Sequence, residues 1–214
     1  MRKFGHWSPH YLFHRLLEKH YRRQNPHLPW LTQAANRMLD TYLLPGDRGL
    51  EYGSGRSTLW FARRVAALTS VEHNPVWHQR VAGMLAEAGL TNVVYCLHEK
   101  AAEQAEWQAL PAYVRAADRL EDGSLDFVLV DGIYRDACAL VGLLKLKPGG
   151  VLILDNANLF LPCDSHAPNS LGMGDEPSSP LWRQFWGQVN TWRRLWTSNG
   201  VSDTAFFFKP QQED

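Results

Sequence analysis

The run Leu50-Glu51-Tyr52-Gly53-Ser54-Gly55-Arg56-Ser57-Thr58 holds the densest chemistry in this 214-residue chain. Gly53 and Gly55 permit a tight turn and close approach of a ligand to the backbone. A helix opening near Ser57 offers free N–H groups to an anionic group. Glu72 stands 19 residues after Gly53, at the end of the next apolar run, where a carboxylate accepts hydrogen bonds from ribose hydroxyls. Together these residues point to an adenosine-containing cofactor. A dinucleotide fingerprint would place a third glycine where Thr58 stands, and its absence counts against a nicotinamide-dependent oxidoreductase, the competing enzymatic reading. Purely structural roles also suit some of these residues: Glu51 can order the loop, and Ser57 or Thr58 can cap the helix.

A second constellation comprises Asp131, at the end of a strand-like run, and Asp155-Asn156, at the end of another. An open parallel sheet presents such strand ends to ligand. Two carboxylates and a carboxamide suit a hard divalent cation such as Mg²⁺, so Asp131, Asp155 and Asn156 are candidate metal ligands. The plainer reading is that Asp131 caps the next helix and Asp155-Asn156 opens a loop. Tyr134 or a metal-activated acceptor hydroxyl could supply base chemistry beside Asp131. Arg135, with its very high pKa, could not.

Other clusters read as structure. Trp182 and Trp186, four residues apart, suit core packing better than sugar stacking. Histidines 6, 10, 14 and 20 suit a solvated surface better than a metal tract. His166, near Cys163 and Asp164, lacks a surrounding nucleophile motif.

These residues must be positioned by alternating short strands and helices, the pattern of βαβ units and a parallel sheet. Strands are expected at 49–52, 68–72, 92–97, 125–130 and 151–154, with helices at about 57–67, 75–88 and 135–145 and another in the Ala/Glu-rich stretch after Lys100. Strand-like runs 191–197 and 203–209, joined by Ser198-Asn199-Gly200, read as a closing antiparallel hairpin. Residues 157–180 hold four of the twelve prolines and read as a substrate loop or lid. Before the sheet lies a helical extension, 1–47. It includes an amphipathic helix near 9–23, whose Leu12, Phe13, Leu16, Leu17 and Tyr21 recur at helical spacing and whose charges are expected to face solvent.

Composition bounds the partners. Lys plus Arg equals Asp plus Glu at 22 each, which gives no overall reason to expect a nucleic-acid partner. Residues 1–27 nevertheless hold six of the basic side chains and a single acid, Glu18, leaving that segment at +5 in a neutral chain. The three separated cysteines lack zinc-site spacing and fit a reduced, cytoplasmic protein. No apolar stretch reaches membrane-span length, and the opening residues are too polar for a signal peptide.

Taken jointly, Glu51-Tyr52-Gly53-Ser54-Gly55, Val71-Glu72-His73-Asn74-Pro75 and Leu146-Lys147-Pro148-Gly149-Gly150 resemble the class I S-adenosylmethionine-dependent methyltransferases over roughly residues 49–209. The resemblance implies one domain, an α/β Rossmann-like seven-stranded, mostly parallel sheet with an antiparallel C-terminal hairpin and helices on both faces. It places S-adenosylmethionine across the carboxyl ends of the first strands. Gly53, Ser54 and Gly55 would face the methionine portion and Glu72, beside His73, the ribose. Ser57, Thr58, His98 and Asp131 are further cofactor candidates. The Asp131 and Asp155-Asn156 pattern is similar to the metal-dependent catechol-type O-methyltransferases, except that Tyr134 stands where that family has a lysine. These features lead us to expect methyl transfer to an oxygen of a small molecule or glycan, with Asp131 and Tyr134 as catalytic residues. The chain has no Asn-Pro-Pro-Tyr run of the amino-methylating type after its fourth strand. A catalytically idle cofactor-binding module is the remaining alternative.

Overall fold

A computed structural model describes residues 8–100 and 110–211. Two helices, α1 (Pro9–Gln24) and α2 (Gln33–Tyr42), precede an alternation of strands and helices: β1 (Arg48–Tyr52), α3 (Arg56–Ala62), β2 (Ala67–Glu72), α4 (Pro75–Glu87) and β3 (Val93–Leu97). There follow α5 (Ala112–Arg115), β4 (Leu125–Val130), α6 (Arg135–Lys145), β5 (Leu146–Asp155), α7 (Pro180–Val189), β6 (Arg193–Ser198) and β7 (Asp203–Phe208). Most of the helix expected just after Lys100 falls at 101–109, outside the described residues.

The seven strands lie in the order β3-β2-β1-β4-β5-β7-β6, parallel except for β7, which runs antiparallel to both β5 and β6. Chain direction across the sheet reverses between β1 and β4, both of which hydrogen-bond as neighbours. Such a reversal opens a crevice at the strands' carboxyl ends, because the connections leave β1 and β4 toward opposite faces. Residues alternate between two cores. Leu50, Tyr52, Val128, Val130, Leu152 and Leu154 pack on the side of α6 and α7, with Phe185 from α7 among them. Phe127, Leu129, Val151 and Ile153 pack on the other side with Leu31, Ala35 and Leu39 of the α2 region and Trp60 and Phe61 of α3. Central strands buried on both faces explain the continuous apolar runs of β4 and β5.

The N-terminal extension is wired to the last strands. Thr32 caps α2, accepting from Ala35 N; its Oγ1 lies 2.6 Å from Thr197 Oγ1, and its N–H donates to Thr204 Oγ1. Thr204 Oγ1 in turn donates to Asp155 Oδ1 at 2.9 Å. A line of buried hydroxyls therefore runs from the extension to the end of β5.

One expectation changes. In α1 four of the five apolar residues are exposed, Leu12, Phe13, Leu16 and Leu17 at 42, 59, 66 and 49%, and Tyr21 is half-buried, while Glu18 is buried and ion-paired to Arg15 and Arg22. The two arginines compensate the buried Glu18 carboxylate with one positive charge to spare, so this side of the helix docks through an ion-paired group. The connection at 157–180, expected as a substrate loop or lid, is tightly folded. Ala157, Leu161, Cys163 and Ala167 are buried, Asn158 O accepts from Leu171 N, and Phe160 O accepts from Ser178 N. Trp182 is buried and stacks on Phe160 at 5.1 Å, in keeping with the packing role expected of it.

Candidate active site

The turn after β1 is built on one glycine that no other residue could replace cheaply. Gly53 has φ 96°, and a Cβ there would lie 2.7 to 2.8 Å from the backbone of Asp131 and Gly132. Two loops thus touch backbone to backbone, fixed from below by Gly53 N donating to Val71 O and Asp131 N donating to Tyr52 O. A cavity of about 390 Å³ opens here. Its walls are Gly53 and Ser54 after β1, Glu72 to Asn74 with Trp77 after β2, and Asp131 to Ile133 after β4. Such a volume is that of a small-molecule site.

Glu72 organises one wall. Its Oε2 accepts from Ser54 N at 3.2 Å and Ser54 Oγ at 2.7 Å, and its Oε1 accepts from His73 N and Asn74 N, both at 2.8 Å. Asn74 then caps α4 by accepting from Trp77 N. Trp77 Nε1 donates to Ser54 O, and Tyr95 Oη lies 2.7 Å from Ser54 Oγ. Trp77 and Tyr95 carried no spacing signal; their role comes from being carried by α4 and β3 to the Ser54 loop.

Glu51 lies beneath the turn, fully buried. Its Oε2 accepts from Thr58 Oγ1 and Ser70 Oγ, both at 2.6 Å, whereas Oε1 meets no donor in hydrogen-bond geometry. Burial raises its pKa to about 7, against the lowering effect of the Ser57, Ser70 and Thr58 hydroxyls. Thr58 also accepts from Gly55 N, so it acts as a buried cap and brace for Glu51. His98 donates its N–H to Glu72 O at the end of β3, but its side chain does not line the cavity.

The second constellation does assemble, around a residue read above only as an unsuitable base. Arg135 Nη2 donates to Asp131 Oδ1 and Asp131 O, both at 2.8 Å, and Nη1 donates to Asp155 O at 2.7 Å and Asn156 Oδ1 at 3.3 Å. Nε donates to Gly132 O at 2.9 Å. Tyr134 and Asn156, the residues that turn the chain out of the two strand ends, both adopt left-handed backbone, φ 49° and 53°. Non-glycine residues held there cost about 1 to 3 kcal/mol each and concentrate at functional sites.

The metal expectation gains no support from this arrangement. The oxygens of Asp131 and Asn156 already converge on a guanidinium, and Asp155 accepts from Thr204, so these residues do not fit a divalent ion between them. Among the described residues there is no other group of three or more His, Cys, Asp or Glu disposed to hold one. Burial and the neighbouring Asp131 charge push the Asp155 carboxyl well above the usual carboxylate range, and burial raises Asp131 as well, with Arg135 opposing both.

These shifts set a pH dependence. Glu51 keeps its proton to about pH 7 when folded but loses it near 4.5 when unfolded, and the Asp131–Asp155 pair shifts in the same direction. The stabilisation is therefore complete below the unfolded values and is lost as pH rises through the folded ones. Ligand-free protein should melt at a lower temperature at about pH 8 than at about pH 5. A flat or rising profile would contradict the assignment.

Comparison with known proteins decides the family. A family model described as a methyltransferase domain matches residues 50–157, from the core of β1 past the end of β5. The chain belongs to the class I S-adenosylmethionine-dependent methyltransferases. Solved structures agree on the fold of this methyltransferase. It resembles a protein from Corynebacterium glutamicum (13% identity, TM-score 0.61, covering 96% of this chain and 92% of that one). It is also similar to a methyltransferase from Geobacter sulfurreducens (14%, 0.54, 92% and 89%) and a methyltransferase-like protein from Silicibacter pomeroyi (23%, 0.53, 86% and 89%). No curated protein sequence matches. Family membership removes the nicotinamide reading. Of the methyltransferase's expected cofactor residues, Gly53, Ser54, Glu72, His73 and Asp131 line the cavity, while Glu51, Ser57 and Thr58 underlie it.

Proposed function

We propose that this methyltransferase transfers a methyl group to an oxygen of a small molecule or glycan, with Asp131 accepting the proton of the acceptor. The observation that supports this reading is the Asp131–Arg135–Asp155 group on the wall of the cavity. Asp131 is the member that reaches the cavity, its side chain 31% exposed, and its raised pKa brings it closer to that of a base useful near neutrality. Arg135 fixes its orientation from behind through contacts to two strand ends. Tyr134 follows on the same loop, but its ring packs against the core beside Tyr113 rather than lining the cavity, so the acceptor-side role expected of it rests on its place in the sequence.

The cavity fits S-adenosylmethionine, which when bound supplies the methyl group and a good leaving group. Ser54 Oγ, now bonded to Glu72, can turn to share that carboxylate with ribose hydroxyls. The protein's own contribution is orientation and a dry site, which can supply roughly 7 to 11 kcal/mol.

Glu72→Ala should weaken S-adenosylmethionine binding by about 1.5 to 3 kcal/mol, roughly 10- to 150-fold in Kd by calorimetry. Asp131→Asn should lower turnover to S-adenosylhomocysteine, measured across phenolic, carboxylic and sugar acceptors at saturating S-adenosylmethionine, about 100-fold or more. Equal turnover by Asp131→Asn would remove Asp131 as the base. Binding without turnover on any oxygen acceptor would favour the idle module.

A further inference from the structure

The outward side of α1 is unlike the rest of the surface. Leu12, Leu16, Lys19 and Arg23 succeed one another at spacings of four, three and four residues, so they form one stripe, and Phe13 lies beside it. All five are exposed. The helix's one acid, Glu18, is turned the other way, buried and neutralised by Arg15 and Arg22. The exposed face is therefore apolar and basic, with no acid on it.

We propose that this face binds the surface of an anionic lipid bilayer, with α1 lying in the interface. An apolar stripe flanked by Lys and Arg suits that setting: hydrocarbon takes the Leu and Phe side chains while acidic headgroups meet the cations. Charge argues against a second copy of the chain as the occupant. A two-fold pairing of this helix with itself would bring four cations, Lys19 and Arg23 from each copy, into one contact with no carboxylate to pair them, whether they met each other or Leu12 and Leu16. Spanning is not involved, since no helix among the described residues is long and apolar enough to cross a membrane. Overall neutrality conceals the feature because the acids that balance it lie elsewhere in the sequence. The proposal is independent of the methyl acceptor.

Flotation of the purified full chain with phosphatidylcholine vesicles containing phosphatidylserine, compared with phosphatidylcholine alone, tests it. The expected result is association with the anionic vesicles only, falling as salt is raised. Leu16→Glu should abolish it. Lys19→Gln with Arg23→Gln should weaken partitioning roughly thirtyfold and, both residues being exposed, leave the thermal melt unchanged. Equal recovery with both vesicle types, or undiminished flotation of the double variant, would overturn the proposal. So would a vesicle-free dimer dispersed by Leu16→Glu, which would assign the face to a second copy.

Discussion

Gly53→Ala is expected to abolish cofactor binding and to destabilise the fold by about 3 kcal/mol or more, the sum of left-handed strain and backbone overlap. The overlap cannot be relieved by a side-chain rotation, because the atoms 2.7 to 2.8 Å from the added Cβ belong to the backbone of Asp131 and Gly132. Gly55→Ala provides the contrast. Gly55 has φ 167°, extended backbone open to any residue, and a Cβ there meets nothing closer than Trp77 at 3.9 Å. Its fold should therefore be intact. Any loss of S-adenosylmethionine affinity in Gly55→Ala would report crowding of the ligand itself. Calorimetry and thermal melts on both variants separate the cases, and a stable, cofactor-binding Gly53→Ala protein would contradict the geometry.

Arg135→Ala should be as damaging for a different reason. It strips the cation from Asp131, Asp155 O and Asn156 in one step, and breaking such a partly buried arrangement costs about 3 to 5 kcal/mol. In a chain of this size that is a fall in Tm of roughly 6 to 20 °C. The loss should be larger near pH 8 than near pH 5, since protonated carboxyls have less need of the cation. Arg135→Lys keeps the charge but cannot reach both strand ends at once, so it should recover part of the stability and little of the turnover. A pH-independent penalty would show that Arg135 acts mainly through packing, for instance over the ring of Phe160 at 5.8 Å.

The parts of this molecule that repeat a period were legible before any coordinates. Strands β1 to β5, the crevice residues Gly53, Glu72 and Asp131, and the C-terminal hairpin follow from short apolar runs set between helical patterns and from glycines placed between a strand and a helix. Arg135 was not, because a single arginine after an aspartate has no spacing that announces convergence with a strand end 20 residues later. The donor set of Asp131, Asp155 and Asn156 does not by itself reveal that Arg135 of the same chain bonds Asp131, Asn156 and the Asp155 carbonyl. The orientation of α1 was hidden similarly. Helical spacing reveals that an apolar stripe exists, but the side that docks is decided here by the buried Arg15–Glu18–Arg22 group.

The threonine line has a consequence for how the chain comes to be made. Thr32 must wait for Thr197 and Thr204, 165 and 172 residues later in the sequence, before the cap of α2 has its partners. At about 5 to 20 residues per second a ribosome needs roughly 10 to 30 s to deliver them. For that interval the first helices are out of the exit tunnel with no C-terminal hairpin to dock on, and Leu31, Ala35 and Leu39 have only part of their final core. The late strands thus close onto the early helices. The end of β5 at Asp155 receives its Thr204 hydroxyl bond only at that closing step, which makes the finished active site a late product of translation.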